Sequence, residues 1–383
     1  MIQIHPSRLK ALEQLNSFVE NNLALYARDR NFDFGPDKRT NTSCLSPYVT
    51  HGVLSEKEII KEAIKKFPFS KIEKFIQEVL WRTYWRGWLE RRPSLWTDFL
   101  NDLESLKKEF HNNKIFKNAI NGNTDIKCFN DWVSELKKTG YLHNHSRMWF
   151  SSIWIFTLDL PWQLGAEFFM KYLKDGDTAS NTLSWRWTAG LQTKGKNYVA
   201  QEWNIKKFTN QRYEKIKLNE NATPIVSDKE YVQINPDFNN AEIKDDQTLL
   251  IFDNQLCFEE SDFKNYKSKK IMLIKNTNST RSIELDEHLI KFKSDLITDQ
   301  QYRLQDNFEI DIKDISYLKN ADLSNVIALY PGIGENLDFL NENKINLKFL
   351  YRKFDQMTNQ YCNKGFFNFK KFIPKILSKL DQL

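Results

Sequence analysis

The sequence predicts an all-helical domain followed by a smaller α/β domain, and three observations carry that reading. All 11 tryptophans of the 383-residue chain lie between Trp81 and Trp203. Residues 1 to about 215 carry long i, i+3, i+4 apolar patterns, the period of helices that bury one face. From about residue 245 the pattern changes to short apolar runs: TLLIFD (248–253), KIMLIK (270–275), NVIALY (325–330) and LKFLY (347–351). These runs read as strands, and they alternate with helix-like ENLDFLNEN and FKKFIPKILSKL, as expected of an α/β layer domain. The stretch between is polar, rich in Asn, Asp and Glu, with two prolines, and reads as a linker or long loop. The expected boundaries are therefore 1–217 for the helical domain, 218–246 for the linker and 247–383 for the α/β domain. No internal repeat is visible.

A chain of this length buries a sizeable core. The formal charge is +6, from 56 basic and 50 acidic side chains. That mild excess permits a nucleic-acid partner without requiring one. Mean hydropathy is −0.61, and no apolar run approaches the roughly 20 residues of a membrane span. MIQIHPSRLK has no apolar core of a signal peptide, so a cytoplasmic protein is expected. Cys44, Cys128, Cys257 and Cys362 are scattered, with no C-x-x-C pair. Neither a zinc site, an iron–sulfur cluster nor a dense disulfide framework is expected from that spacing.

The first motif runs from Tyr26 to Leu54. Tyr26 opens YARDRNF, which leads to Thr42-Ser43-Cys44-Leu45-Ser46-Pro47-Tyr48 and then Gly52-Val53-Leu54-Ser55. Small hydroxyls in a loop before a helix offer donors at a helix N-terminus, a setting that suits phosphate. The same residues also make an ordinary cap and turn. The second motif is Phe75 to Leu89, FIQEVLWRTYWRGWL, where Glu78, Trp81 and Arg82 share a helix face. By itself this is an amphipathic helix with a Glu–Arg pair and a core tryptophan. Arg91 to Lys127 is weakly patterned.

The most informative stretch is Thr139 to Trp187. It contains an HN-x-x-RM cluster, a DGD turn and a W-x-W pair. Asn144, Arg147 and Met148 repeat the i, i+3, i+4 spacing, and Asp177, Asn181 and Trp185 form a second stripe at i, i+4, i+8. Polar groups concentrated on such stripes, between apolar runs, suggest a buried polar ligand. Each alone is equally a helix cap or a satisfied core polar group. His143 and His145 at i, i+2 point to different helix faces and read as surface or supporting residues. Beyond them, Leu191 to Phe208 is basic, and Lys194, Lys196, Lys206 and Lys207 suit either DNA phosphates or plain solvent. In the α/β part, YPGIGEN (330–336) is a strand, a G-x-G turn and a helix start, a Rossmann-like feature without the full dinucleotide fingerprint.

Taken together, the motifs resemble the FAD-binding domain of the photolyase/cryptochrome family over about residues 20 to 205. The resemblance is to a short form without the usual N-terminal antenna domain. It implies FAD as cofactor, no metal, and FAD contacts from Tyr26, Thr42, Ser43, Leu45, Ser46, Phe75, Arg82, Asn144, Arg147, Asp175, Asp177 and Asn181. The T-S-x-L-S-P segment would hold the pyrophosphate, with Cys44 standing where many relatives have arginine. Arg147 and Asp175 resemble the ion pair beside the flavin ring, Asp177 the acid at its pyrimidine edge, and Asn181 the residue opposite N5. An Asn there resembles photolyases rather than plant cryptochromes. Asn144 after His143 resembles the cyclobutane-dimer branch rather than the (6-4) branch.

The resemblance further implies that Glu78 hydrogen-bonds the damaged bases, that Trp81 stacks on them, and that Asn144 and Met148 shape the cavity. Trp162 and Trp185 match two members of a tryptophan electron path, and Trp187 matches the second half of the W-x-W pair. The third member has no clear match; Trp88, Trp96, Trp149 and Trp154 are the candidates. KGFFNFKKFIPKIL vaguely resembles part of the antenna domain, so the α/β region is expected to be a relocated form of it. The implied activity is that of a deoxyribodipyrimidine photo-lyase, a carbon–carbon lyase acting on UV-damaged DNA, with single-stranded DNA favoured by a reduced footprint. The alternatives are a cryptochrome-type blue-light receptor and a helical nucleic-acid-binding protein without flavin.

Overall fold

The computed structural model describes residues 4–266 and 270–382, so the first three residues of the N-terminal stretch lie outside the described residues. The chain forms two compact units that do not follow chain order. One gathers Leu25–Thr42 and Ser94–Tyr231; the other gathers Ile4–Ala24, Ser43–Pro93 and the residues from Val232 on.

The first unit is helical. Its helices include Ser94–Phe110, Lys114–Asn121, Lys127–Thr139, Asn144–Ser152, Trp162–Tyr172, Thr178–Ala189 and Glu202–Phe208. Gly140 and Gly190 end two of them in the left-handed region, at φ 69° and 84°, where a side chain is disfavoured. Trp96, Trp132, Trp149, Trp154, Trp185, Phe99, Phe129 and Phe150 are fully buried. The tryptophan-rich segment thus supplies the core of this unit, because large aromatic surfaces drive burial most strongly per residue. Asn144–Ser152 runs on into a π-helical turn, Ile153–Thr157, where the Leu158 N–H donates to the Ile153 carbonyl at 2.9 Å. Such a turn shifts the side chains that follow it around the helix.

The second unit combines helices with a parallel sheet. The helices include Arg8–Asn21, Glu56–Lys66 and Phe69–Glu90. Glu56–Lys66 starts with a reciprocal cap: Ser55 Oγ accepts from the Glu58 N–H, and the Glu58 carboxylate accepts from the Ser55 N–H. Arg8 bonds the same carboxylate and the Val53 carbonyl, tying the first helix to this cap.

The sheet strands are β1 (Thr248–Phe252), β2 (Lys270–Lys275), β3 (Glu309–Asp314), β4 (Val326–Leu329) and β5 (Lys348–Leu350). Their order is β3-β2-β1-β4-β5, all pairs parallel. Four strands coincide with the four apolar runs. The exception, β3, is EIDIKD on the sheet edge, where isoleucines alternate with exposed charge and no apolar run forms. Leu250, Phe252, Met272, Ile274, Ala328 and Phe339 build one apolar layer against the sheet. FKKFIPKILSKL is not one helix: Phe366–Phe369 and Ile373–Ser378 are separated by a tighter turn, and Pro374 opens the second of them.

Residues 218–246 have no helix or strand, yet they are pinned by main-chain bonds. Ile225 donates to the Ala189 carbonyl in the first unit; in the second, Ile234 donates to Arg91 and Ala241 to Phe349. No described helix is long and apolar enough to cross a membrane. All four cysteines are buried and free.

Candidate functional site

The residues singled out by the motifs are divided between the two units. Tyr26, Thr42, Asn144, Arg147, Met148, Trp162, Asp175, Asp177, Asn181 and Trp185 belong to the first; Ser43, Leu45, Ser46, Phe75, Glu78, Trp81 and Arg82 belong to the second.

In the first unit, helix Asn144–Ser152 displays Asn144, Arg147 and Met148 on one face, and the Asn144 amide reaches the Met148 sulfur at 3.8 Å. His143 is not on that helix. It is the residue that caps it, its Nδ1 accepting from the His145 N–H at 3.1 Å, and it is 1% exposed. Of the two readings, surface or supporting residue, burial rules out the first for His143 and agrees with the second: a cap facing the core needs an acceptor but no water. Burial, with Arg39 and His145 nearby, pushes its pKa down to about 3 despite the carboxylate of Asp33. It is therefore a neutral imidazole at ordinary pH.

Arg147 donates through Nη2 to Asp175 at 2.9 Å and through Nε to the Leu142 carbonyl at 3.0 Å. Its guanidinium lies 5.1 Å from the Tyr141 ring centre. The Arg147–Asp175 pair expected beside the cofactor is thus formed within this unit. Asp177 caps helix Thr178–Ala189, accepting from the Ser180 N–H at 2.7 Å. Asn181 is buried one turn on, and its amide donates to the Ala166 carbonyl at 2.8 Å, which fixes the plane of the side chain.

Trp185 follows on the same stripe, 2% exposed, edge-on to Trp154 at 6.2 Å and to Phe169 at 5.1 Å. Trp187 stacks on Tyr198 at 5.5 Å. Of the candidates for a third tryptophan, Trp96, Trp149 and Trp154 are fully buried. Trp88 is in the other unit, under the Arg92 guanidinium at 4.1 Å.

One group of residues was not visible as a motif. Asp33, 1% exposed, accepts from the Gly35 N–H at 3.0 Å, from Arg39 at 3.1 Å and from Ser146 Oγ at 2.7 Å, and pairs with Arg212 at 3.1 Å. Arg39 also bonds Glu135 at 2.7 Å. Burial opposes ionisation of Asp33, but Arg39, His143, the Ser146 hydroxyl and Arg212 outweigh it and hold the carboxyl far below its usual range. This cluster fastens the segment carrying Tyr26 and Thr42 to the start of the HN-x-x-RM helix. The only sequence signal was the short turn D-F-G-P, since Ser146 and Arg212 are more than a hundred residues away.

In the second unit, Gln14 donates to the Ser43 carbonyl at 2.6 Å, and Ser46 begins the short helix Ser46–Thr50. Cys44 has φ 51°, an uncommon conformation for a residue with a side chain. The Leu45 side chain is buried, so any ligand contact there falls to its main chain. On helix Phe69–Glu90, Glu78, Trp81 and Arg82 are half-buried together while Phe75, Ile76, Leu80 and Tyr84 face the core. Phe75 packs on Phe18 at 5.4 Å. One face of Trp81 is taken by Phe366, whose ring lies parallel at 3.5 Å.

The G-x-G turn after β4 sits where the strand order reverses, the usual place for a ligand in such sheets. Here the helix that follows, Glu335–Glu342, begins with a buried carboxylate. Glu335 accepts from the Ser282 and Ile283 N–H groups at 2.8 and 3.1 Å. Asp253 at the end of β1 pairs with Lys293 at 2.9 Å and accepts from Asn336 at 2.9 Å. A protein carboxylate already uses the polarity that a phosphate would need.

The first unit also offers unfilled polar capacity. Ser180 Oγ, Thr182 Oγ1 and Trp185 Nε1 on helix Thr178–Ala189, and Asn41 Oδ1, are buried without a hydrogen-bond partner among the described residues. Buried donors and acceptors cost free energy unless paired. A ligand with ring heteroatoms and hydroxyls would pair them, and FAD has both, so the residues present fit that group.

Comparison with known proteins agrees. Residues 75–227 match the family described as the FAD binding domain of DNA photolyase. The site therefore defines a flavoprotein, with FAD as the cofactor of this domain. That match takes in about two fifths of the chain, and likeness to DNA photolyases extends over about half of it. A deoxyribodipyrimidine photo-lyase of Buchnera aphidicola subsp. Baizongia pistaciae is 30% identical over 191 residues, 49% of this chain and 39% of that protein. A bacterial class III photolyase from Agrobacterium tumefaciens is 26% identical, with a TM-score of 0.46 over 53% of this chain and 43% of that one. A Synechocystis cryptochrome is 24% identical, also with a TM-score of 0.46, over 54% and 44%. The chain spans about two fifths of the length of the curated relatives it matches.

Proposed function

We propose that the protein repairs DNA in light, splitting cyclobutane pyrimidine dimers by electron transfer from FAD. The observation that carries this reading is the half-buried face of Glu78, Trp81 and Arg82 on helix Phe69–Glu90, inside the matched domain. A receptor has no need of a carboxyl and an indole presented side by side to a flipped pyrimidine dimer. Enzymes that act on bases take them out of the stack, and a dimer, already distorted, is the easiest to extrude.

When bound and reduced, FAD supplies the photo-electron that opens the cyclobutane ring and accepts it back. The chain's own residues do the rest. Glu78 hydrogen-bonds the dimer bases: as a carboxylic acid it donates to a carbonyl and stabilises added charge there, which an ionised carboxylate, an acceptor only, does not. Trp81 stacks on the dimer; in the helical unit Asn144 and Met148, in contact with each other, carry the dimer-facing assignment of that unit. Arg147, fixed by Asp175, and Asp177 and Asn181, fixed by the Ser180 N–H and the Ala166 carbonyl, hold the cofactor. Lys194, Lys196, Lys206 and Lys207 add sequence-blind phosphate contacts.

A second reading, a blue-light receptor without repair, is favoured by one observation: Phe366 already stacks on Trp81. Illumination of the reduced holoprotein with dimer-containing oligonucleotides, single- and double-stranded, separates the two. Dimer loss supports repair, and a larger rate on single strands supports that substrate class. No loss on either, with flavin bound, leaves the receptor.

A further inference from the structure

Of the candidates for the third tryptophan of the path implied by Trp185 and Trp162, Trp96, Trp149 and Trp154 are buried and Trp88 belongs to the other unit, so none of the four offers a solvent-facing terminus within this unit. The surroundings of Trp162 supply a different kind of residue. Trp162 opens helix Trp162–Tyr172 and is 6% exposed. Trp185 lies over the first turn of that helix: a Cβ on Gly165 would come within 2.3 Å of the Trp185 ring. The residue after Trp185 is Arg186. Its guanidinium carbon lies 5.9 Å from the Trp162 ring centre and 5.3 Å from the Tyr231 ring centre, so one planar cation bridges the two rings. Tyr231 is half-exposed, and its hydroxyl donates to Asp98 at 3.2 Å. Lys229 pairs with Asp98 and with Asp102, both at 3.1 Å, and Gln163, next to Trp162, donates to Asp102 at 3.2 Å.

We infer that Tyr231 is the terminal electron donor of this path and that Asp98 takes its proton. This rests on reading Trp185 and Trp162 as an electron path. The physical reason is charge. A radical cation on Trp162 sits against the Arg186 cation, in a partly dry setting, and is unstable there. Moving the hole to a second indole would keep that charge. Moving it to a phenol with a carboxylate acceptor removes it, because the proton leaves with the electron.

The step balances. Tyr231 gives one electron to the Trp162 radical cation, which returns to neutral indole. The phenolic O–H bond breaks and its proton goes to the Asp98 carboxylate. A neutral tyrosyl radical and a carboxylic acid result. The first oxidant is the light-excited, oxidised flavin of the FAD-binding domain, and a thiol in solution later refills Tyr231. Burial, with Asp98 close by, already holds the Tyr231 pKa above its ordinary value, so the hydroxyl keeps its proton until the electron goes.

The test uses the oxidised holoprotein under a blue flash, with the radical identified by electron paramagnetic resonance and transient absorption. The parent is expected to end on a tyrosyl radical whose formation slows in deuterated water. Tyr231→Phe keeps the ring beside Arg186 and is expected to lose the tyrosyl signal, leaving a short-lived tryptophan radical. Asp98→Asn is expected to keep the tyrosine but slow the radical's formation. Trp203→Phe, at an indole 60% exposed elsewhere in the unit, is expected to change nothing. A parent that ends on a tryptophan radical, with Trp162→Phe abolishing it and Tyr231→Phe without effect, overturns the role of Tyr231 alone. A Trp162→Phe variant that behaves as the parent overturns the path itself. Repair of dimers by pre-reduced protein is unaffected in either case, so failure of the repair reading is seen separately.

Discussion

Replacing Gly165 with alanine puts a methyl group where the Trp185 ring already lies. The new Cβ would be 2.3 and 2.5 Å from two ring carbons of Trp185 and 3.0 Å from Trp154 Nε1. Non-bonded carbons prefer about 3.5–4.0 Å, so the ring must retreat by about 1 Å or more. It has little room, being 2% exposed with Phe169 at 5.1 Å, Trp154 at 6.2 Å and Phe150 at 6.3 Å. Overpacking of this kind costs about 1–3 kcal/mol. Against it stands the helix preference of alanine over glycine, about 1 kcal/mol in favour of the variant. The clash is severe enough to place the packing cost at the upper end, so a net loss of about 1–2 kcal/mol is expected. Urea unfolding of the parent and Gly165→Ala gives the number. Repeating it in a Trp185→Phe background tests the cause, because the smaller ring should recover much of the loss. A Gly165→Ala protein more stable than the parent, or an undiminished cost without the indole, would refute this account of how Trp185 is held.

Three further outcomes are expected. His143 has a folded pKa of about 3 against 6.5 in a free side chain, so the unfolded chain binds the extra proton between those values. Stability should therefore fall as pH drops from about 6.5 towards 3, by at most about 1.4 kcal/mol per unit from this group. His143→Asn keeps a good cap and should flatten that part of the stability–pH curve; an unchanged slope would mean that His143 is not the group responsible. Asp175→Ala removes the partner of Arg147, which is 22% exposed and so partly screened, and should cost about 2–3 kcal/mol, below the range for a fully buried pair. It should also lower the flavin-to-protein ratio after purification, and full flavin content at unchanged melting temperature would contradict the role given to the pair. Finally, Phe366→Ala uncovers one face of Trp81 and is expected to tighten binding of dimer-containing single strands, measured by fluorescence titration. Weaker binding would mean that Phe366 supports Trp81 rather than competing with the base.

What the sequence determined alone is local and periodic. Helix period placed Asn144, Arg147 and Met148 on one face and Asp177, Asn181 and Trp185 on another, because residues three and four apart are neighbours on any helix. Apolar runs marked β1, β2 and β4, because parallel strands covered on both faces exclude polar side chains, and LKFLY marked β5 on one edge although Lys348 is exposed. β3, on the other edge, escaped because none of its residues is fully buried and a charged residue separates its two isoleucines.

Only the tertiary structure decided which distant residues meet. Asp33 finds Ser146 and Arg212, Phe366 lies on Trp81, and Arg186 joins Trp162 to Tyr231. The same holds for the interleaving of Ile4–Ala24 and Ser43–Pro93 with the residues from Val232 on. Such pairs leave no period in the chain, since each contact is set by how whole elements pack, and a side chain carries no mark of a partner a hundred residues away.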